Sequence, residues 1–311
     1  MILIICDTND ESAILVYNTI LRKGIKCKII NSNDFFEKFT INYFFENKFI
    51  DIKEKKNGVV VTGVWIKKFD IVSNRFSSKN SDIDFILENE FYTLCNFIFD
   101  SCRLNILSNY CNLKISKLQT LSIASEIGLS IPKSYIINSK NDLIYLVKKN
   151  RDLIIKNSFE NLSFQKGNKY YQQFTEILSI EKLYKIKKLF FPIFLQKRIN
   201  KIAEIRSFYI NGKLFSIATF SSVNEIDIKK RNGIQRHIPF VIPIETQEKI
   251  IILVKKLNIN IGAIDFILNE NYELIFLEIN PNGNFRIVSE FGNYNLEEIV
   301  ANELINYEKK Y

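Results

Sequence analysis

The sequence predicts an α/β protein of mixed α+β character: a βαβ-type N-terminal unit followed by two α+β units around a cleft. Three observations carry this. An apolar run, Ile2–Cys6, leads into helical spacing over Ser12–Lys23 and, past Gly24, a second strand over Lys26–Ile30. Ser134–Ile137 and Leu153–Lys156 read as strands on either side of a helix over Lys140–Lys149. Ile205–Ile210 and Lys213–Phe220 are joined by Asn211-Gly212, the preferred residues of a type I′ hairpin turn. The expected divisions are 1–111, 112–191 and 192–311.

The first unit continues through aromatic-rich segments, a strand over Val59–Val61 before Gly63, and a helix over Asp82–Phe99. No GxGxxG follows its first strand, so a dinucleotide fingerprint is absent. The second unit opens with a helix over Lys114–Ile127 that stops at Gly128, with Pro132 shortly beyond. Ser139 is placed to cap the next helix. A polar stretch, Asn157–Lys169, suits a loop between strands and precedes β-rich Tyr170–Phe174 and a helix over Ser179–Lys188. After the hairpin come a helix over Ile244–Leu257, two strands containing Ile264-Asp265-Phe266 and Leu277-Glu278-Ile279-Asn280-Pro281, and a C-terminal helix.

Composition narrows the function classes. The 311 residues are 47% hydrophobic and 25% charged, close to soluble globular averages, and no apolar run is long enough to span a membrane. Five cysteines without a CxxC pair indicate neither a disulfide framework nor a zinc site; reduced thiols in a cytoplasm fit better. A net charge of +9 suits nucleic acid, an anionic membrane surface or an acidic substrate. The basic residues are spread along the chain without an Arg/Gly-rich or zinc-finger pattern, so nucleic acid is not the expected partner.

Magnesium takes oxygen ligands and bridges carboxylates to phosphates, and Asp265, Glu278 and Asn280 supply such oxygens at adjacent strand ends. Side chains alternate along a strand, which puts Glu278 and Asn280 on one face and Leu277 and Ile279 in the core. A solvent-facing strand with a turn acid is the plainer alternative. Asp265 stands inside an apolar strand, however, where an unpaired carboxylate is expensive, and this favours metal binding. Lys156 ends an apolar strand just before the polar loop, and Lys117 lies on the opening helix of the second unit; each suits a phosphate, or is a solvated surface charge. His237 is the only histidine, and no GxSxG supports a serine hydrolase. A structural or substrate-shaping role suits His237 better than proton transfer.

From Lys114 to the C-terminus the chain resembles ATP-grasp enzymes, and among them the ribosomal-protein-modifying glutamate ligases and the macrocyclases of ribosomal peptides. Ser116-Lys117-Leu118 with Gly128–Pro132, Leu153–Lys156, Phe194–Lys197, Glu204-Ile-Arg206 and the three metal candidates follow the family order. Phe220-Ser221, Asn224-Glu225, Asp227, Pro239-Phe240, Pro243, Phe276–Phe285 and Asn293–Glu297 are similar to the maturases of grasp-with-spasm peptide systems.

The resemblance implies an ATP-grasp fold, with a pre-ATP-grasp N-terminal domain and two subdomains clamping ATP. It implies that Lys117 and Lys156 contact ATP phosphates, that Gln196, Lys197 and Ile199 line the adenine pocket, and that Glu204 approaches the ribose or adenine edge. Asp265, Glu278 and Asn280 then hold Mg2+, and Arg206, Arg231 and Arg236 serve the reacting groups. The implied substrate is a leader-dependent precursor peptide whose Asp or Glu side chains are joined to Ser, Thr or Lys side chains. The hairpin at Asn211-Gly212 is the candidate leader contact, and a homodimer is left open. Ligation of a free amino acid, and a non-catalytic basic binding module, are the competing readings.

Overall fold

The computed structural model describes residues 1–7, 9–46, 49–69, 81–101, 105–107, 115–150, 152–158, 163–167, 169–172, 175–178, 187–221 and 234–308. Arg231, most of the expected helix over 179–188 and the motif residues Asn224, Glu225 and Asp227 lie outside them.

The N-terminal unit comprises β1 (Ile2–Ile5), α1 (Glu11–Arg22), β2 (Cys27–Ile30), α2 (Ser32–Lys38), β3 (Phe39–Phe44), β4 (Phe49–Glu54), β5 (Gly63–Ile66), α3 (Ser81–Ser101) and β6 (Asn105–Leu107). Its parallel sheet has the order β2-β1-β5-β6. β1 is buried along its whole length, which is why it reads as a continuous apolar run. Asp10 caps α1 by accepting from the Ala13 amide, and Ser116 later caps its helix through the Gln119 amide. The expected strand over Val59–Val61 is replaced by one that begins at Gly63. Val60 forms only an isolated bridge to Lys53, because the residues before Gly63 close against the β3–β4 hairpin rather than the parallel sheet. That hairpin was hidden in the aromatic-rich segment.

The central unit has α4 (Lys117–Glu126), β7 (Ser134–Ser139), α5 (Lys140–Lys149), β8 (Leu153–Lys156), β9 (Ser163–Lys166), β10 (Lys169–Gln172), β11 (Glu176–Ile177) and β12 (Leu189–Lys197). Its antiparallel sheet runs β11-β8-β12-β7, and β12 carries it past residue 191, to Lys197. Leu143, Leu146 and Val147 of α5 bury one face with Leu153 and Leu195. Phe194, on the opposite face, joins a core shared with α4 and the last sheet.

The third unit contains β13 (Lys201–Ile210), β14 (Lys213–Ser221), β15 (Gln235–Phe240), α6 (Ile244–Lys256), β16 (Ile261–Asn269), β17 (Leu274–Asn280), α7 (Arg286–Gly292) and α8 (Leu296–Glu308). The sheet order is β15-β14-β13-β16-β17, all antiparallel. Asn211 and Gly212 have φ of 42° and 90°, as a type I′ turn requires. Period-two alternation divides the sheet. Ala203, Ile205, Ala218, Ile264 and Phe266 face α4 and α6, whereas Phe208, Ile210 and Ile217 face α7, α8 and the N-terminal sheet. α8 packs beside α1, so the chain's end closes the core of its beginning.

Candidate active site

Register sets the polar half of the second face. Arg206 on β13 is directly opposite Asp265 on β16, which is opposite Glu278 on β17, while Asn280 is opposite Ala263 one step further. Facing residues in an antiparallel pair share a side of the sheet, so these groups form one row. The pairing depends on a bulge: Phe266 faces Phe276, yet Asp265 faces Glu278, leaving Leu277 as the extra residue. Without it Asp265 would face Leu277, and Glu278 would be out of line.

Arg206 Nη1 donates to both Asp265 carboxylate oxygens at 3.0 and 3.1 Å, and its Nη2 donates to the Asn284 carbonyl at 3.3 Å. Burial pushes the Asp265 carboxyl above the ordinary carboxylate range; Arg206 opposes the rise, while Glu278 and Glu204 add to it. Lys117, at the start of α4, places Nζ 2.9 Å from Glu278 Oε2. Lys201 Nζ donates to Glu204 at 2.6 Å, in the next row on the same face.

The loop after β17 is pinned to the sheet. A Cβ on Gly283 would come within 2.2 Å of the Ala263 Cβ and 2.9 Å of its nitrogen. Asn280 Oδ1 accepts the Asn282 amide at 2.9 Å, and Asn282 Oδ1 is buried with no hydrogen-bond partner among the described residues.

On the central sheet, Lys156 is opposite Phe194 and Ile154 opposite Gln196, so all four share one face. Gln196 is buried, and its Nε2 donates to Ser134 Oγ at 3.0 Å, which in turn donates to the Pro132 carbonyl at 2.8 Å. The Lys197 side chain is exposed while its amide donates to the Lys133 carbonyl, and Ile199 lies just beyond the strand, half-buried.

No protein-family model and no curated protein matches the sequence. Solved structures do. The macrocyclase MdnC from Microcystis aeruginosa MRC, bound with precursor peptide MdnA, has a TM-score of 0.78 at 21% identity, over 98% of this chain and 99% of that one. A RiPP-associated ATP-grasp ligase from Chryseobacterium gregarium, in complex with ADP and a leader and core peptide, gives 0.76 at 20% identity over 99% and 96%. The ATP-grasp ligase PsnB complexed with minimal precursor, Mg and ADP gives 0.74 at 16% identity over 99% and 97%.

The chain has the ATP-grasp fold. Asp265, Glu278 and Asn280 offer hard oxygens of the kind magnesium takes from one face of the last two strands, and Asn282, two residues on, adds a buried Oδ1 with no partner among the described residues. Among the described residues no three His, Cys, Asp or Glu side chains cluster, so the set depends on its asparagines. Arg236 is not brought to this side of the ATP-grasp sheet. It faces Phe220, on the α4 side, and the one-residue alternation gives the Asp265 face to His237 instead. Sequence reasoning missed the bulge, although Ile275-Phe276-Leu277 breaks the alternation that Glu278 and Asn280 set. No local pattern singled out Lys201, which pairs with Glu204 across the same face.

Proposed function

We propose that this chain is a magnesium- and ATP-dependent ligase that activates Asp or Glu side chains of a ribosomally made precursor peptide and joins them to Ser, Thr or Lys side chains. The observation that carries it is the bulge-aligned pair of Asp265 and Glu278, flanked by Arg206 and by Lys117 from the neighbouring unit. The likeness to structures bound with precursor peptides, ADP and magnesium supports the peptide substrate and both small ligands.

In this reading a substrate carboxylate displaces ADP from the γ-phosphorus of ATP, forming an acyl phosphate. A hydroxyl or amine then attacks its carbonyl and inorganic phosphate leaves, so each ester or amide bond costs one ATP and removes one water from the peptide. Magnesium, when bound, would neutralise charge on the phosphates, and Asp265, Glu278 and Asn280 would hold it. Lys156 and Lys117 neutralise the phosphate tail from the central unit, and Arg206 keeps Asp265 oriented while adding positive charge beside the transferred group. Positioning and charge complementarity supply most of the rate.

The test is to incubate the chain with candidate precursor peptides, Mg2+ and ATP. The expected product is lighter by one water per bond, with stoichiometric ADP, and Glu278→Gln abolishes both. A heavier peptide would mean amino-acid addition instead, and absence of precursor-dependent ADP would sink the ligase reading.

A further inference from the structure

The face that carries Arg206, Asp265 and Glu278 continues to the far edge of its sheet. Arg206 is opposite Ile217 and Ile217 opposite Pro239, so Thr219 and His237, two residues away on β14 and β15, lie on the same side. His237 Nδ1 is 3.0 Å from Thr219 Oγ1, and the imidazole stacks on the Phe291 ring with centroids 4.1 Å apart and planes inclined by 27°. Phe291 remains 45% exposed, and Ile287, one helical turn earlier on α7, is 49% exposed. Burial holds the imidazole below the ordinary histidine range. The result is a shelf of one aromatic ring, one imidazole and one branched aliphatic side chain on the same side of the sheet as Asp265.

Three strand spacings of about 4.8 Å and two residues of about 3.4 Å separate His237 from Asp265, giving a Cα distance of roughly 16 Å. That is too far for His237 to exchange a proton with a group held at Asp265 without a relay, and its Nδ1 is already engaged by Thr219. It matches about four to five residues of extended peptide.

We propose that His237, Phe291 and Ile287 form a specificity subsite for an aromatic or branched aliphatic side chain of the peptide substrate, four to five residues from the carboxylate being activated. This rests on the peptide-ligase reading and names a feature that reading leaves open. Aromatic stacking and exclusion of water from the half-exposed Phe291 and Ile287 supply the preference.

Three synthetic decapeptides, otherwise serine, threonine and glycine, test it: one with Glu and Phe four residues apart, one with Ser for that Phe, and one with Phe beside Glu. Binding is measured by calorimetry with Mg2+ and ADP present, and the sole histidine's ring signals are followed by NMR. The first peptide is expected to bind at least fivefold more tightly than the others and to shift the His237 signals. The preference disappears in Phe291→Ala and is kept in His237→Phe, with thermal unfolding of each variant verifying the fold. Equal binding of the three, an unmoved imidazole signal, or no measurable binding of any would overturn the subsite. ADP release without this preference leaves the ligase reading standing alone, whereas the preference without ADP release from any precursor leaves only the subsite.

Discussion

Lys117 Nζ lies 2.9 Å from Glu278 Oε2, an ion pair that joins the first helix of the central unit to strand β17 of the third. Both side chains keep about a third of their surface in water, so screening holds the pair's own contribution to folding below about 1 kcal/mol. Lys117→Ala is therefore expected to leave thermal unfolding of the ligand-free protein nearly unchanged while weakening ATP or ADP binding about tenfold, or ~1.4 kcal/mol. Calorimetric unfolding alongside nucleotide titration checks it. A large loss of stability with intact nucleotide binding would make Lys117 a structural tie instead.

The raised carboxyl of Asp265 gives a pH signature. The folded chain holds that proton more tightly than the unfolded chain, so the cost of ionising it is absent below the ordinary carboxylate range and appears as pH rises towards the raised value. Asp265 thus takes stability away across that window. Magnesium, which needs the ionised form, should bind more tightly across the same window. Denaturant unfolding at intervals from pH 4 to 8 should show the loss, its reversal by millimolar MgCl2, and neither effect in Asp265→Asn. A wild-type slope persisting in that variant would remove Asp265 from the explanation.

Much of this was legible because the relevant physics is local. Alternation along Leu277–Asn280 marked Glu278 and Asn280 as neighbours on one face, and Asn211-Gly212 marked its hairpin through two positive φ angles. What escaped depends on pairing between distant segments. Arg236 and His237 are equally polar neighbours on an edge strand, and only the register with β14 decides which shares the Asp265 face. The bulge at Leu277 and the burial of Gln196 are likewise properties of strand pairing, to which composition and spacing along one segment are blind.

Gly283 is required by contact, since any Cβ there must displace Ala263 or the loop after β17. Gly283→Ala should cost about 1–3 kcal/mol through overpacking and displace the loop that carries Asn280 and Asn282. Gly24→Ala is the control: its φ of +75° is strained for alanine, costing about 1–2 kcal/mol, but nothing lies within 4 Å and the site is distant. Magnesium-dependent ADP binding should fall tenfold or more in the first and stay unchanged in the second. Equal effects in both would mean that stability alone, and not loop position, sets metal affinity.

Gln196 separates lining a base from holding a sheet. Its side chain is 1% exposed and ties β12 to β7 through Ser134, whose hydroxyl passes the connection to the Pro132 carbonyl. Truncation leaves both a cavity and a hydroxyl without its donor. Gln196→Ala should destabilise the ligand-free protein by about 2 kcal/mol, a fall of roughly 3 °C in Tm. A residue that only met adenine would leave that transition in place and change nucleotide affinity alone. Thermal unfolding without nucleotide decides between the two: an unshifted Tm would return Gln196 to the base pocket, and a shifted one assigns it to the frame that carries Lys156.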